Sequence, residues 1–163
     1  MYKDIVEFEF KNFEKYDYSN VLRIGHNIFE YDKPVRNPER PAILKSEDAE
    51  LLRRNVKRFD ILFIPTFEAN VALITTVARK GKLFEIPVRE IILSKGVERA
   101  KLIYRVRRFI DFCRSYKARF IFTTRARSLY EVRTPREIGR ISMIFGLTER
   151  QGSSSMIWEV GED

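Results

Sequence analysis

Cysteine and histidine are almost missing from this sequence. Among 163 residues there is one cysteine, Cys113, and one histidine, His26. Disulfide frameworks and zinc fingers need several such residues, and only one Cys/His catalytic pair can be formed. Cys113 falls on the apolar stripe of a helix predicted over 97–115, which favours a small buried hydrophobe over a nucleophile. The other members of the stripe are Leu102, Ile103, Val106, Phe109 and Ile110. His26 stands beside Gly25 near a predicted strand, where a structural or solvent-exposed role is the simpler interpretation.

Long apolar runs are also absent. No stretch approaches the roughly 20 residues that span a bilayer, and the first residues lack both the apolar core and the cleavage site of a signal peptide. We therefore expect a cytoplasmic protein. The chain is nevertheless 44% hydrophobic and 13% aromatic, which is too apolar for disorder. Its length predicts one domain over residues 1–163.

Acidic residues are scarce in one contiguous third of the chain. The segment from Arg79 to Arg140 has 18 basic and 6 acidic residues, about +12, whereas the remainder carries about −4 of the total of +8. Arginine outnumbers lysine 13 to 5 in this third, and planar guanidinium groups bind phosphates and stack on bases. Solvated helix faces are the alternative interpretation, but segregation on this scale favours a polyanionic partner.

Periodicity predicts strands alternating with helices. The predicted strands are 4–10, 21–29, 61–64, 83–88, 120–124 and 156–160. The predicted helices begin at Ser46, as a cap, and at 68, 97 and 135, the last after a capping box from Thr134 to Glu137. Residues 30–40, which hold two prolines, and residues 152–155 are predicted as loops. This alternation predicts an α/β fold with a parallel sheet, either doubly wound or closed as a barrel of the TIM type.

Charged side chains follow two of the predicted strands. Arg89 and Glu90 come after the strand at 83–88, and Arg125 and Arg127 come after the strand at 120–124. Ligands of parallel α/β folds bind at this end of the strands, and the pattern favours the barrel. Because a complete eight-unit barrel usually needs at least about 200 residues, we expect parallel βα repeats in a reduced or incomplete TIM-like barrel.

Four motifs resemble one known family. They are Phe84 to Glu90, Thr123 to Ser128, Glu131 to Glu137, and Phe145-Gly146-Leu147, with agreeing order and spacing over about residues 60–160. The sequence resembles the third protein component of archaeal ribonuclease P, the family of the thirty-kilodalton subunit of the eukaryotic enzyme. It departs from the family at Thr124-Arg125, where Ser-Gly is common. Residues 1–59 match poorly and look shortened.

The resemblance implies a TIM-barrel-like subunit of ribonuclease P, the endoribonuclease that removes the 5′ leader from precursor tRNA. In that family the RNA performs the chemistry, for which Mg²⁺ is expected. The protein supports the fold of the RNA and pairs with ribonuclease P protein component 2. We therefore expect ribonuclease P RNA, precursor tRNA and other ribonuclease P proteins as partners, and neither a protein active site nor a cofactor or metal held by the chain.

The residues expected to contact RNA lie at the predicted strand ends and on or beside the helix predicted over 97–115, whose side opposite the apolar stripe is basic. They are Arg89, Arg125, Arg127, Ser128, Arg133, Arg136, Lys95, Arg99 and Arg107. Arg136 is a pointed candidate, because a cation in the first turn of a helix is unfavourable unless a phosphate also binds there. Nearby glutamates offer internal partners instead; they are Glu90, Glu131 and Glu137. For Arg133, an ion pair with Glu85 or Glu90 is the alternative.

A second class of function stays open at this point. A degenerate TIM-barrel phosphoesterase, metal-dependent and acting on its own, would use the same arginines to hold its substrate and Glu85 or Glu90 for chemistry. Such a site typically needs several histidines and carboxylates at the strand ends. The sequence offers only His26 and scattered acids such as Asp60 and Glu68, so we prefer the ribonuclease P hypothesis.

A reduced barrel also predicts something about partners. Missing units expose strand edges or one flank of the core, and another chain or self-association normally covers such surfaces. The apolar candidates for this interface are Ile43, Leu44, Phe63 and Phe67, although burial in the core of the same chain is the default for each.

Overall fold

The fold is built on parallel strands. It is seen in a computed structural model that describes residues 1–159. The strands are β1 (Lys3–Val6), β2 (Asn20–Arg23), β3 (Phe29–Tyr31), β4 (Ala42–Lys45), β5 (Ile61–Phe63), β6 (Leu83–Pro87) and β7 (Arg119–Thr123). One sheet pairs β1 with β2, and the other has the order β3-β4-β5-β6-β7, with every pair parallel.

Backbone hydrogen bonds join the two sheets at both edges. The Arg125 N–H donates to the Ile5 carbonyl at 3.0 Å, and the Glu7 N–H donates to the Ala126 carbonyl at 2.8 Å. On the other side, Ile24 forms a parallel bridge with Ile28 between β2 and β3. Within residues 1–159, seven strands thus form a closed ring. The predicted reduced TIM-like barrel is confirmed, whereas the expected exposed strand edges are wrong, because every strand has a neighbour on both sides.

One apolar side chain from almost every strand fills the inside of the ring. These residues are Ile5, Ile28, Ile43, Ile61, Leu83 and Ile121, with Leu22 and Ile24 partly buried beside them. Trp158 packs into the same cluster and is 2% exposed. Alternation along a strand sends the intervening residues to the outside, where Leu44, Leu62 and Phe84 belong to a second cluster with the helices.

Helices cover the outside of the ring from β4 onwards. They are α1 (Ala49–Asn55), α2 (Val71–Arg79), α3 (Val88–Leu93), α4 (Gly96–Ser115), α5 (Pro135–Ser142) and α6 (Glu149–Ser154). The apolar stripe predicted for α4 is confirmed, since Val106, Phe109, Ile110 and Cys113 are fully buried. Burial raises the pKa of the Cys113 thiol to about 12, so this cysteine stays protonated and acts as a buried hydrophobe. No helix in the described range is long and apolar enough to cross a membrane.

The barrel is reduced in its first three units. The strand predicted over 4–10 ends at Val6, because Phe8, Phe10, Phe13 and Tyr16 pack against one another with ring centroids 5.3 to 6.4 Å apart. A 3-10 helix over Phe13–Tyr16 stands where a full barrel has a helix. The strand predicted over 21–29 is interrupted by a turn in which Gly25 has a φ of 77°.

The strand β4 was not foreseen. Ala42, Ile43 and Leu44 are fully buried in it, so the suggestion that Ile43 and Leu44 form a protein interface is wrong. The following helix is capped by Asp48, whose Oδ1 accepts hydrogen bonds from the backbone N–H groups of Glu50 and Leu51. Ser46 is therefore not the cap; its hydroxyl oxygen accepts a hydrogen bond from the Asp48 N–H instead.

The end of the chain also differs from the prediction. Residues 149–154 form α6, begun by a capping box between Thr148 and Gln151, where a loop was expected. Residues 156–159 are not a strand, and Val160, the last residue of the predicted strand, lies outside the described residues. Met156 and Trp158 are nevertheless buried, because they pack against the barrel without joining its sheet.

Helices α5 and α6 touch at Gly152. A Cβ atom at this position would lie 1.9 Å from the Ser142 Oγ and 2.5 Å from the Ser142 Cβ. We expect Gly152→Ala to lower the free energy of unfolding by about 1 to 3 kcal/mol, because the two helices must separate. Denaturant unfolding measures this loss. Ser154→Ala, at an exposed site in the same helix, should leave stability almost unchanged, and equal stability of the two variants would contradict the prediction.

Candidate functional site

The carboxyl ends of the strands surround a small charged cavity, which we call the mouth. Its volume is about 100 Å³. The lining residues are Glu7, Glu30, Lys45, Phe63, Pro87, Arg89, Glu90, Arg125 and Arg127. Three of the arginines predicted to cluster at the strand ends therefore do meet at one edge of the barrel. Three glutamates meet them there, two of which come from the N-terminal region, where no partner had been predicted.

Arg125 points into the barrel rather than toward solvent. It is 5% exposed, and its guanidinium donates hydrogen bonds to both carboxylate oxygens of Glu85, with Nε to Oε1 at 2.6 Å. Glu30 is a second ion-pair partner at 2.7 Å. Burial alone lowers the pKa of Arg125, but the two carboxylates outweigh it and the pKa lies above its ordinary value. The guanidinium is therefore occupied by carboxylates of the same chain and is almost shielded from solvent, and contact between Arg125 and RNA stays a prediction.

The backbone at Arg125 has a φ of 49°, in the left-handed region that glycine adopts most easily. This accounts for the glycine that is common at the matching position of the family the sequence resembles. In this chain an arginine holds the same conformation, and its side chain forms the ion pair with Glu85. The Thr123 hydroxyl also donates a hydrogen bond to Glu85, at 2.7 Å, so both partners of the buried carboxylate, Thr123 and Arg125, lie at the end of β7.

The other two arginines of the mouth are also paired. Arg89 donates two hydrogen bonds to Glu131, at 2.8 and 3.2 Å, and these hold the pKa of that carboxyl below its ordinary value. Arg127 donates to Glu7 at 2.6 Å through its side chain and to Glu131 at 2.9 Å through its backbone N–H. The convergence of arginines was predicted correctly at this edge, but the mouth is internally neutralised and is not an open anion site.

The remaining predicted residues lie apart from one another. Arg133 donates to the carbonyls of Tyr130 and Val132 and pairs with neither Glu85 nor Glu90, so the alternative of an internal ion pair is wrong. Arg99 donates to the carbonyls of Ile91 and Ile92 and thereby caps the end of α3. The others keep solvent contact: Arg136 is exposed and 3.5 Å from Glu149, Lys95 is exposed, and Ser128 is partly exposed.

The outer side of α4 carries exposed arginines without acidic partners. We call this the basic face of α4; its members are Arg105, Arg107, Arg108 and Arg114. None of the four forms an ion pair within residues 1–159, and Arg108 lies 5.8 Å from the Phe112 ring centroid. Lys101, on the same helix, is paired with Glu98 at 3.0 Å. Four exposed arginines against one exposed acid, Asp111, therefore give this part of α4 an excess of positive charge that the mouth does not have.

The residues named for a hydrolytic site are not brought together. Glu85 is buried against Arg125, Glu90 is exposed, and Asp60 contacts Lys82 at 3.4 Å at the opposite end of the strands. His26 is exposed in the turn between β2 and β3, as the solvent-exposed interpretation predicted. The described part of the chain has no group of three or more His, Cys, Asp or Glu side chains placed to hold a metal ion.

Sequence reasoning missed Asp4. Its carboxylate is fully buried where the ring closes, and it accepts hydrogen bonds from the N–H groups of Ile5 and Thr124 and from the Thr124 hydroxyl, at 2.5 to 2.8 Å. Burial raises its pKa to about 7. The strong alternation around Val6 and Phe8 marked a strand, but nothing in the pattern marked an acid buried against the far end of the chain.

The architecture defines a class of protein: a β/α barrel of the TIM type, reduced in its first units, with an ion-paired mouth and a basic helix on one flank. The sequence profile of the family described as RNase P subunit p30 matches residues 42–160. The chain belongs to this family. The match begins earlier than the four motifs and includes β4.

Two curated relatives are ribonuclease P protein component 3 of archaea. That of Methanothermobacter thermautotrophicus is 27% identical over 105 residues, which are 61% of this chain and 43% of the relative. That of Methanosarcina barkeri is 27% identical over 96 residues, 56% of this chain and 40% of the relative. The matched region therefore spans less than half the length of either relative.

A solved structure has the same fold. The barrel superposes on a chain in the cryo-EM structure of archaeal ribonuclease P with mature tRNA, with a TM-score of 0.68. The alignment covers 94% of this chain and 76% of that chain, at 12% identity. At this identity the likeness establishes the shared fold, and at 94% of the chain it covers more than the residues matched by the family profile.

Proposed function

We propose that this protein is a subunit of ribonuclease P that binds the catalytic RNA and supports its fold. Membership of the family supports this proposal, as do the archaeal relatives that carry the name of ribonuclease P protein component 3. In the proposed complex the RNA cleaves the 5′ leader of precursor tRNA with Mg²⁺. The protein contributes to the holoenzyme through binding, beside ribonuclease P protein component 2 and other subunits.

The basic face of α4 is the observation that carries the proposal. Four guanidinium groups within about three helical turns repel one another, and within residues 1–159 none of them forms an ion pair; the one exposed acid among them is Asp111. A phosphate backbone supplies the compensating negative charge and releases counterions on binding. Guanidinium groups suit phosphate because they donate paired hydrogen bonds to its oxygens.

The proposed contact residues follow from exposure. Lys95 and Arg107 extend along the exposed side of α4, and Arg136 adds an exposed cation at the start of α5. A second group consists of Arg89 and Arg127, which line the mouth, Ser128 and Arg133, which follow β7, and Arg99 in the first turn of α4. The arginines of this second group already donate hydrogen bonds to carboxylates or carbonyls of the protein. We therefore expect them to contribute less to RNA affinity than the basic face of α4.

A triple variant tests the proposal. Replacing Arg107, Arg108 and Arg114 together with Ala should weaken binding to ribonuclease P RNA, and the slope of log affinity against log salt should shrink by about 2 to 3. Filter binding over a series of salt concentrations measures both effects. Cleavage of precursor tRNA by the reconstituted enzyme should fall in parallel.

The matched control removes the same charge elsewhere. Arg53, Arg54 and Arg58 lie on and after α1, where the first two are paired with Glu50. Their triple replacement with Ala should leave the salt slope at the wild-type value. If both triple variants bound RNA alike, the basic face of α4 would not be the RNA-binding surface.

A further inference from the structure

A second and larger hollow opens beside the mouth, between the ends of β4, β5 and β6 and the first half of α4. We call it the groove. Its volume is about 380 Å³, within the range of roughly 300 to 1,000 Å³ that is common for small-molecule sites. Its lining residues are Lys45, Phe63, Pro65, Phe67, Pro87, Glu90, Leu102 and Arg105.

The groove has an apolar floor with an aromatic ring. Phe63 is partly buried, and its ring packs against Phe67 at 6.2 Å between centroids and lies 5.8 Å from the Arg125 guanidinium. This packing fixes the plane of the ring at the entrance to the mouth. Pro87 and Leu102 complete a surface that offers few hydrogen bonds and suits a flat, weakly polar group.

Cations stand on two sides of this floor. Arg105 is exposed on α4 and has no ion pair in the described range. Lys45, at the end of β4, is 39% exposed, and its carboxylate contacts are long, 4.0 Å to Glu30 and 3.8 Å to Asp32. Glu90 adds one exposed acceptor, with its nearest cation, Arg89, at 3.7 Å. The rim of the groove therefore offers two positive charges, on Lys45 and Arg105, to an anion and one carboxylate, on Glu90, to an N–H donor.

We propose that the groove binds one unpaired nucleotide of an RNA strand, with its base stacked on Phe63 and its phosphate held by Lys45 and Arg105. The inference rests on the proposed RNA-binding function and adds a site for a single-stranded nucleotide to it. Every base has a π-face that can stack on an aromatic side chain. Arg105 also belongs to the basic face of α4, so an RNA strand on that face can reach the groove without crossing an acidic surface.

An apolar peptide is a poorer occupant. It would cover Phe63 and Leu102 but would place Lys45 and Arg105 against uncharged groups, and a cation desolvated without a partner is unfavourable. A nucleotide matches both the floor and the rim. This charge complementarity distinguishes the two occupants.

The test uses a ten-nucleotide oligouridylate with 2-aminopurine at its centre, because the fluorescence of this base falls when it stacks. Wild-type protein should quench the probe on binding. Phe63→Leu keeps the apolar volume and removes the π-face, so it should abolish most of the quench and weaken affinity about fivefold or more. Arg105→Ala, at an exposed site that folding does not depend on, should also weaken binding severalfold. Arg79→Ala, exposed at the end of α2, removes the same charge and should behave as wild type.

The outcomes separate this inference from the proposed function. If structured RNA binds through the basic face of α4 but Phe63→Leu and Arg105→Ala quench and bind the probe as wild type does, the groove is not a nucleotide site and only this inference fails. The same conclusion follows if Phe63→Leu leaves the RNA unaffected and weakens association with another protein subunit. If wild-type protein binds neither the probe nor structured RNA, the proposed function fails with it.

Discussion

Replacing Arg125 with Met should lower the free energy of unfolding by about 3 to 5 kcal/mol, because Glu85 then stays buried inside the barrel without its cation. Glu85 is 1% exposed, and all of its described partners lie on Thr123 and Arg125. Methionine fills much of the volume of arginine, so the loss reports the charge rather than a cavity. Denaturant unfolding followed through Trp158, the only tryptophan, measures it.

Two further variants isolate the cause of this loss. In Glu85→Gln/Arg125→Met both charges of the pair are removed, and the double variant should be more stable than Arg125→Met alone. Arg127→Met removes an arginine whose pair with Glu7 is largely exposed, and it should cost less than about 1 kcal/mol. A similar small loss for Arg125→Met would mean that the buried carboxylate of Glu85 finds another partner or water.

Replacing Asp4 with Asn should stabilise the protein above neutral pH and flatten the pH dependence of its stability. The pKa of Asp4 is raised from 3.8 to about 7 in the folded state, so the folded state favours the protonated form. The protonated carboxyl of Asp4 stabilises the folded state fully below about pH 4. This stabilisation is lost as the pH rises through about 7, and the free energy of unfolding falls by at most about 4 kcal/mol. Asparagine removes this loss, because its Oδ1 still accepts from the N–H groups of Ile5 and Thr124 and its amide donates to the Thr124 hydroxyl.

Unfolding free energies at pH 5 and pH 8 test this prediction. Between pH 5 and pH 8, the free energy of unfolding should fall further for the wild type than for Asp4→Asn. Asp17→Asn replaces an exposed acid and should follow the wild type at both values. If Asp4→Asn destabilised the protein equally at both pH values, Asp4 would be charged at both, and its carboxylate would stabilise the fold more than the amide does.

The two variants probe different links within the barrel. Asp4 lies in β1 and Thr124 follows β7 directly, so the hydrogen bonds of Asp4 hold the first and last strands together. Arg125 instead ties the end of β7 to β6 through Glu85 and to β3 through Glu30. Loss of either group therefore acts on the barrel rather than on the proposed RNA-binding surface of α4.

The local sequence pattern was enough to predict an element where that element has a clear hydrophobic period or a capping motif. The apolar stripe of α4 and the capping box at Thr134, which accepts a hydrogen bond from the Glu137 N–H, were predicted and confirmed. Local pattern failed for β4, because its apolar run, Ala42 to Leu44, is only three residues long and lies between Pro41 and Lys45. It also failed for residues 8–10, which alternate like a strand but pack as an aromatic cluster.

The sequence by itself determined the α/β class, the reduced barrel, the family and the segment that carries the excess positive charge, because periodicity, motif order and charge are local properties of the chain. Only the tertiary structure decided which arginines are available to a partner. Glu7 and Glu30 lie far along the chain from Arg127 and Arg125, and closure of the ring brings each acid within hydrogen-bonding distance of its arginine. Ion pairing depends on distance in space, so the mouth became neutral while the basic face of α4 kept its excess of positive charge.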